Sequence, residues 1–281
     1  MEAQKQDVPV WGEIELAYRI ARVPIVAITG TNGKTTSTVL THHVLTQMGY
    51  RARLCGNVAG TERDLPLVSA AHSAEPEEWL VAEVSSFQLL HTLTFRPRIA
   101  VITNITEDHL NYHGSWEAYV RAKGKILHNL TAEDWAILNA RDQGIARLLH
   151  WLHSEGVTGL RAVESAGHVR YFVGEHPIVP MSDGVLNLAH ASMPALIGAH
   201  AVENALVSAH IASILGGTRE QVLNALQSFR GVPHRMECVA EIGGVLVINN
   251  SMCTNADALE HSLRATPKPC LAIAGGVDKN R

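Results

Sequence analysis

The fold of this protein is decided by the stretch Pro24-Ile25-Val26-Ala27-Ile28-Thr29-Gly30-Thr31-Asn32-Gly33-Lys34-Thr35-Thr36. An apolar run ends in a glycine-rich turn, and a helical pattern over residues 35–48 follows and closes at Gly49. Glycines allow backbone N–H groups to face phosphate oxygens, and the helix N-terminus adds a positive dipole. The stretch therefore predicts a phosphate-binding loop at residues 30–36.

Two side chains of this loop have the chemistry that a nucleoside triphosphate needs. Lys34 supplies a positive point charge for the β- and γ-phosphates, and the Thr35 hydroxyl can bind Mg²⁺. A strict Walker A motif has glycine at position 28, where Ile28 stands, so the loop is a shorter variant that starts at Gly30. The alternative is a glycine-rich turn that precedes Lys-Thr by chance, and the strand before it and the helix after it disfavour that reading.

Outward from the loop, short β-rich runs alternate with helical patterns, which predicts a mostly parallel sheet flanked by helices. Further strands are predicted at residues 79–84 and 99–103, and each ends in a polar cluster that begins at Glu83 or Asn104. Because ligands bind at the carboxyl ends of strands in open α/β sheets, we expect both clusters to share one crevice. Residues 161–195 are expected to form a small antiparallel patch, and helices are predicted at 200–215 and 219–229.

A second unit is predicted after a hinge at residues 230–235. Its expected elements are a strand at 245–249, a helix at 256–264 and a strand at 270–274. We therefore divide the chain into a linker with a helix at 1–20, an ATP-binding central domain at 21–232, and a truncated Rossmann-like α/β domain at 233–281.

Composition limits the classes of partner. The 281 residues are 46% hydrophobic and 18% charged, with a formal net charge of -4. Lys and Arg are scattered, which argues against nucleic acid or an anionic membrane surface and favours small-molecule partners. The four cysteines show no paired spacing, and neither a signal peptide nor an apolar run of about 18 residues is present. We expect a soluble, cytoplasmic protein, and a monomer is favoured.

Seven separated segments, in order along the chain, resemble the Mur ligase family. The phosphate loop in the form Thr29-Gly30-Thr31-Asn32-Gly33-Lys34-Thr35-Thr36 is the first of these. The others are Glu83-Val84-Ser85-Ser86-Phe87-Gln88-Leu89, residues 103–110, residues 119–126, residues 200–204, the pair His234-Arg235, and Gly275-Gly276-Val277-Asp278-Lys279. The resemblance implies an ATP-dependent ligase that activates a carboxylate as an acyl phosphate, which the amino group of an amino acid then attacks.

The resemblance also implies site residues. The catalytic residues are expected to be Lys34, Glu83, His109 and Lys123. Two magnesium ions would be bound by Thr35, Glu83, His109 and Lys123. A lysine cation cannot bind a metal cation, so the resemblance implies that Lys123 reacts with carbon dioxide and becomes an anionic carbamate. From the residues alone, a lone histidine such as His109 is more often structural, and Lys123 is more simply a solvated helix residue beside Arg121 and Lys125.

Substrate contacts are implied in the same way. Asn204 and Arg235 would hold the adenine and the ribose or phosphates of ATP, with a helix-surface amide and a hinge charge as the alternative interpretations of those two residues. The UDP-muramoyl precursor would contact Asn57 and Ser85, and the incoming amino acid would contact Thr254 and Lys279. Within the family, the segment 85–89, Gly56-Asn57 and residues 13–16 are most similar to the member that adds D-glutamate to UDP-N-acetylmuramoyl-L-alanine.

The chain departs from the family pattern near residue 250. The family has Asn-Asp-Ser-Lys-Ala-Thr-Asn where this chain has Asn249-Asn250-Ser251-Met252-Cys253-Thr254-Asn255, so an acid and a lysine are missing. Another muramoyl-peptide or folylpolyglutamate ligase, or a degenerate ATP-binding paralogue, therefore stays open. The resemblance implies that the family's amino-terminal domain and most of its last domain are missing from these residues, and we expect a fragment that binds ATP and magnesium weakly without forming an amide bond.

Overall fold

A six-stranded parallel sheet forms the centre of the protein in a computed structural model that describes residues 8, 10–58, 65–197, 199–253, 256–266 and 269–276. Its strand order is β2-β3-β1-β4-β5-β6, and all five pairings are parallel. The strands are β1 (Ile25–Thr29), β2 (Arg51–Gly56), β3 (Glu78–Glu83), β4 (Ile99–Ile102), β5 (Trp135–Asn139) and β6 (Val169–Phe172). Every residue of β1 and β4 is buried, as expected for central strands covered on both faces.

Helices cover both faces of this sheet. Those that begin before residue 160 are α1 (Glu13–Ile20), α2 (Lys34–Gln47), α3 (Leu67–Ser73), α4 (Ser86–Leu90), α5 (Leu110–His113), α6 (Trp116–Gly124), α7 (Gln143–Ser154) and α8 (Thr158–Ser165). The later ones are α9 (Ala199–Ile214), α10 (Arg219–Ser228) and α11 (Ala256–Ala265). One buried cluster packs α1, α3, α6, α7 and α8 against the sheet, and the other packs α2, α9 and α10 against the opposite face. The predicted α/β class with a parallel sheet is confirmed.

The strand order places one crevice at the carboxyl edge of the sheet. From β1 the chain leaves toward β2 and β3, whereas from β4 it leaves in the opposite direction toward β5 and β6. The carboxyl ends of β1 and β4 therefore open between connections that diverge, which is the position where α/β sheets bind ligands. The phosphate loop follows β1 and the segment that begins at Thr103 follows β4, so both lie at this crevice.

The predicted antiparallel patch at residues 161–195 is wrong for its first part. Residues 161–165 belong to α8, which buries Leu160 and Val163, and Val169–Phe172 pairs in parallel with β5 as the sixth strand. The antiparallel part is the hairpin of β7 (Ile178–Met181) and β8 (Gly184–Asn187). An edge strand buries few side chains, here Phe172 alone, so it lacks the continuous apolar run that marks a central strand.

After residue 232 the described chain forms an antiparallel hairpin of β9 (Glu237–Ile242) and β10 (Val245–Asn249), followed by α11. The predicted strand at 245–249 and the helix are confirmed. The predicted strand at residues 270–274 is wrong for the described structure, because no described strand lies beside it and Leu271 and Ile273 are 93% and 98% exposed. The boundaries proposed at residues 20 and 232 stay predictions. Across the described ranges, we find no helix with the length and apolar character to cross a membrane.

Candidate active site

The backbone of the phosphate loop depends on two glycines. Gly30 has φ +151°, and a Cβ there would lie 1.9 Å from Thr103 Oγ1. Gly33 has φ +81°, and its Cβ would lie 2.7 Å from Asn204 Oδ1. Side chains larger than hydrogen are excluded at both positions by sterics and by backbone conformation. The loop can therefore present its amide groups to a ligand at close range.

The segment after β4 holds the loop in place. The Asn104 carbonyl accepts from Thr31 N at 2.9 Å, and Asn104 Oδ1 accepts from Asn32 N at 2.8 Å. In return, Asn104 Nδ2 and Thr103 Oγ1 donate to the Asn32 carbonyl at 3.0 and 2.7 Å. Two strand ends are thereby cross-linked by four hydrogen bonds, which fix the loop before any ligand arrives.

Two predicted magnesium ligands are in direct contact. Thr35 Oγ1 donates to Glu83 Oε2 at 2.6 Å, and Asn57 Nδ2 donates to Glu83 Oε1 at 3.3 Å. Thr35 stands at the start of α2, whereas Glu83 ends β3 and Asn57 follows β2. Parallel strands bring these three positions to one edge. The result is a buried pair of hard oxygen ligands beside an amide.

Lys34 lies in the loop with its charge directed inward. Its Nζ donates to the Thr31 carbonyl at 2.8 Å. Burial lowers the pKa of Lys34 and the nearby Arg235 lowers it further, whereas Glu83 and Asp108 oppose these effects. The ammonium group therefore donates its hydrogen bond to a neutral carbonyl. A bound phosphate would provide an anionic acceptor instead.

Lys123 is 1% exposed and lies beneath the phosphate loop. Its Nζ donates to the Gly30 carbonyl at 2.6 Å and lies 4.6 Å from the centroid of the Tyr119 ring. Burial, followed by the charge of Lys34, lowers the pKa of Lys123 well below its usual value. A lysine in this state carries a neutral, nucleophilic amine far more often than a surface lysine does.

Tyr119 connects Lys123 to the phosphate loop. Its hydroxyl lies 3.0 Å from Thr31 Oγ1, which donates its own proton to the Thr106 carbonyl at 3.1 Å. Because that proton is already used, Tyr119 must be the donor to Thr31. Burial raises the pKa of Tyr119, which keeps the phenol protonated for this bond.

His109 lies on the outer side of the crevice. Its side chain is 41% exposed, its φ is +52°, and its Nε2 lies 3.6 Å from Asp108 Oδ2. The Phe87 ring contacts it at a centroid distance of 4.9 Å. Left-handed backbone is uncommon for histidine, and here it turns the ring toward the crevice, where His109 and Asp108 both line the wall.

The opposite wall comes from α9 and from the segment around residue 235. Asn204 Oδ1 accepts from Ser37 Oγ at 3.0 Å, so it lies directly above the first turn of α2. Arg235 has a buried Nε with no hydrogen-bond partner among the described residues. Burial lowers the pKa of Arg235, while the charges of Glu83 and Cys253 oppose that effect. Arg235 and Glu83 line the same cavity, and the charge of Glu83 acts on the guanidinium.

These walls enclose a cavity of about 290 Å³. It is lined by the phosphate loop, Glu83, Asn104, Asp108, His109, Asn204, Arg235, Asn250, Met252 and Cys253. Two predicted site residues do not line the cavity: Lys123 lies beneath the phosphate loop, and Ser85 caps α4, accepting from Gln88 N at 3.3 Å and donating to Gln88 Oε1 at 2.9 Å. Thr254 and Lys279 lie outside the described residues.

Sequence reasoning did not select Asp108, Asn104 or Tyr119. Asp108 and Asn104 belong to the polar cluster after β4, and that position was the signal available for them. Tyr119 stands four residues before Lys123 on α6, and residues at this spacing share one face of a helix. A buried aromatic residue at that spacing was the signal that the side of α6 with Lys123 faces the core.

Comparison with known proteins gives a consistent set of matches. The family described as Mur ligase middle domain matches residues 28–212. UDP-N-acetylmuramoylalanine--D-glutamate ligase of Acidobacterium capsulatum is 38% identical over all of this chain and 60% of the relative. The protein of that name from Bacillus subtilis is 36% identical over 99% of this chain and 59% of the relative. The chain therefore spans about three fifths of the length of these relatives.

Solved structures show the same fold. MurF ligase from Thermotoga maritima, in complex with ADP, has a TM-score of 0.64 at 21% identity over 90% of this chain and 60% of that one. MurF from Acinetobacter baumannii has a TM-score of 0.63 at 19% identity over 91% of this chain and 57% of that one. At these identities the likeness establishes the architecture.

Proposed function

Because the chain belongs to the Mur ligase family, we propose that it forms the ATP-binding part of an enzyme that joins a carboxylate to the amino group of an amino acid. The observation that carries the proposal is the contact between Thr35 and Glu83, 2.6 Å apart, beside Lys34 of a preformed phosphate loop. A merely structural loop would need neither the buried carboxylate nor the second cation that Arg235 supplies. Positioning and charge neutralisation are the main contributions of a protein to phosphoryl transfer.

The residues present fit MgATP. Hydrogen is the only substituent that fits at Gly30 and Gly33, so phosphate oxygens can approach the backbone, and Lys34 stands ready beside them. Among the described residues the Arg235 Nε has no hydrogen-bond partner, and Asn204 lies above the loop as a contact for the nucleoside. Thr35, Glu83 and His109 would hold magnesium, which, when bound, neutralises phosphate charge. The ADP bound by the Thermotoga maritima relative supports the same ligand class here.

Lys123 is the proposed site of a carbamate. The Nζ lone pair attacks carbon dioxide, an N–C bond forms, and one Nζ proton leaves, so the side chain ends with one negative charge. The remaining N–H can keep its hydrogen bond to the Gly30 carbonyl. Burial favours the uncharged amine that reacts, and the positive charge of Lys34 would then stabilise the anion that forms. The carbamate would add oxygen ligands at the second magnesium position.

For the substrates we propose UDP-N-acetylmuramoyl-L-alanine and D-glutamate. Support comes from the names of relatives that are 36–38% identical over nearly the whole chain. Asn57 lines the cavity beside Glu83 and suits the muramoyl substrate, and Ser85 follows β3 at the same edge of the sheet. Thr254 and Lys279 stay predictions for the amino acid. A cytoplasmic location and a role in peptidoglycan precursor synthesis accompany this assignment.

The test has two parts. Binding of MgATP to the protein is measured by calorimetry, and Lys34→Ala should raise the dissociation constant by about tenfold or more. Phosphate release is then assayed on the complete polypeptide that contains residues 1–281, with UDP-N-acetylmuramoyl-L-alanine and D-glutamate each omitted in turn. Release that needs both substrates supports the proposal. A protein that does not bind MgATP would overturn the proposed nucleotide site. Phosphate release that depends on a different amino acid would overturn the substrate assignment.

A second candidate is a nucleotide-binding protein that does not ligate. Met252 favours it, since an apolar side chain lines the cavity where the family has a lysine. This candidate predicts MgATP binding with no phosphate release in the presence of both substrates. The same two measurements therefore separate the two candidates.

A further inference from the structure

Arg235 stands between two residues with left-handed backbone. His234 has φ +62° and Met236 has φ +48°, and neither is glycine. This conformation brings Cβ close to the carbonyl oxygen and costs free energy, so it persists only where surrounding contacts enforce it. The backbone on both sides of Arg235 is therefore held in a form that it would not adopt by itself.

Two of the contacts that hold it come from the loop after β10. Asn250 Oδ1 accepts from Met236 N at 3.1 Å, and Met252 N donates to the His234 carbonyl at 3.1 Å. Asn250 Nδ2 donates to Ser262 Oγ of α11 at 2.8 Å. One amide side chain thus connects the strained turn to the helix that forms the far wall of the cavity.

The consequence appears at the Arg235 side chain. Its buried Nε has no partner in the described part of the chain, and the strongest opposite charge acting on it is that of Glu83. No side-chain hydrogen bond within the described ranges fixes its direction, so the direction depends on the backbone at residues 234–236. A contact that holds the backbone of this turn therefore also sets the direction of the guanidinium.

We propose that Asn250 is a positioning residue, which clasps the strained turn at residues 234–236 so that Arg235 faces the phosphate end of the cavity. The inference deepens the proposed function and rests on it. Asn250 stands where the family has an acid, and the two contacts explain how this chain uses an amide there: its oxygen serves the turn, and its nitrogen serves α11. The departure at position 250 is then compatible with nucleotide binding.

A double-mutant cycle tests the clasp. MgATP binding is measured by calorimetry for the unaltered protein, Asn250→Ala, Arg235→Ala and the double variant. Asn250→Ala should raise the dissociation constant by about tenfold, since a misdirected guanidinium loses its charge-assisted contact. In the Arg235→Ala background the same change should matter less than about twofold, because a residue that acts through Arg235 has nothing left to position.

Matched variants separate positioning from folding. Asn250→Asp keeps the acceptor for Met236 N and should bind MgATP within about threefold of the unaltered protein. Asn250→Ala loses that acceptor, and the loss of one such hydrogen bond costs about tenfold at most. Ser251→Ala, at an exposed neighbour, should change nothing. If Asn250→Ala does not fold, Ser262→Ala replaces it, with a rise of about threefold that also vanishes without Arg235.

Three outcomes overturn the inference. If Asn250→Ala binds MgATP as tightly as the unaltered protein, Asn250 has no positioning role. An effect of equal size in the Arg235→Ala background shows that Asn250 acts directly or through general stability. Unchanged hydrogen exchange at the Met236 amide in Asn250→Ala shows that no clasp is lost. Failure of the unaltered protein to bind MgATP is a different result, which overturns the proposed function.

Discussion

Lys123 shows how a single buried residue can carry a site. The helix face that it shares with Tyr119 places it beneath Gly30, where an ammonium group loses its hydration and meets the charge of Lys34. A permanent cation at that place would repel magnesium. The arrangement favours a side chain that can exchange its positive charge for a negative one.

Lys123→Ala should abolish ligation, because alanine cannot form the carbamate that would supply oxygen ligands at the second magnesium position. Lys123→Arg is the matched control: it retains a cation, cannot form a carbamate, and should be equally inactive. Small carboxylic acids such as acetate should restore part of the activity of Lys123→Ala, and removal of bicarbonate should reduce the activity of the unaltered enzyme. Full activity of either variant would rule out the carbamate.

Met252 is the second informative residue. Lys34 and Arg235 already place two cations close enough for their charges to interact, so a third cation adds little that is new. We expect Met252→Lys to leave turnover within about tenfold of the parent, with Met252→Leu as the neutral control. A gain above about a hundredfold, which corresponds to ~2.7 kcal/mol of barrier, would show instead that the natural site is impaired and would favour the degenerate paralogue.

Among the elements, α7 holds the segment that follows β4. Asp142 caps this helix, and its Oδ1 accepts from Ile145 N at 2.8 Å and from Ile105 N at 3.1 Å. Gly144 lies so close to Ile105 that a Cβ would meet its carbonyl oxygen at 2.2 Å. The first turn of α7 is therefore docked against the segment that carries Asn104 and His109.

Asp142→Ala should lower the free energy of unfolding by about 2 kcal/mol, since it removes a helix cap and leaves the Ile105 amide unsatisfied. Urea denaturation measures the change. Asp142→Asn retains an acceptor and should lose less than half as much. Ser115→Ala, which removes the exposed cap of α6, provides the comparison with a cap that has no second partner. An equal loss in Asp142→Ala and Ser115→Ala would contradict the docking role.

At the scale of the whole molecule, α9 joins the sheet to the site. Its apolar side packs into the cluster formed with α2 and α10, while Asn204 near its start lies above the phosphate loop. His210, in the same helix, is 3% exposed, and neither of its ring nitrogens has a partner in the described structure. Burial, with the charge of Arg170, lowers the pKa of His210 to about 4.

This histidine should make the fold sensitive to mild acid. Its folded pKa lies below the unfolded value, so the unfolded chain takes up the proton first, and stability falls as the pH drops through 6.5 toward 4. We expect the His210 contribution to remove about 2 kcal/mol between pH 7.5 and pH 5. In urea denaturation, His210→Leu should lose that part of the pH dependence, and His150→Gln, at an exposed position, should retain it. An identical pH dependence in all three proteins would contradict the assignment.

The sequence by itself determined the class of the fold, the family and the phosphate loop. These depend on local rules: two glycines with positive φ angles that other residues rarely adopt, a strand before them and a helix after them. The central strands β1, β3 and β4 were predictable within one residue because their continuous apolar runs reflect burial on both faces. Edge strand β6 and the exposed segment at 270–274 were misassigned, since edges and unpaired runs lack that signature.

Only the tertiary structure decided which polar residues meet. Thr35 and Glu83 are 48 positions apart, and Lys123 and Gly30 are 93 positions apart. These contacts follow from the strand order and from the face that α6 turns to the sheet. The local hydrophobic pattern of the sequence predicts neither the strand order nor that orientation. The clasp of Asn250 on the turn around Arg235 is of the same kind, because its geometry is set by the packing of a hairpin and a helix. Local sequence specifies conformations of the backbone, whereas the register of packed elements specifies distances between side chains.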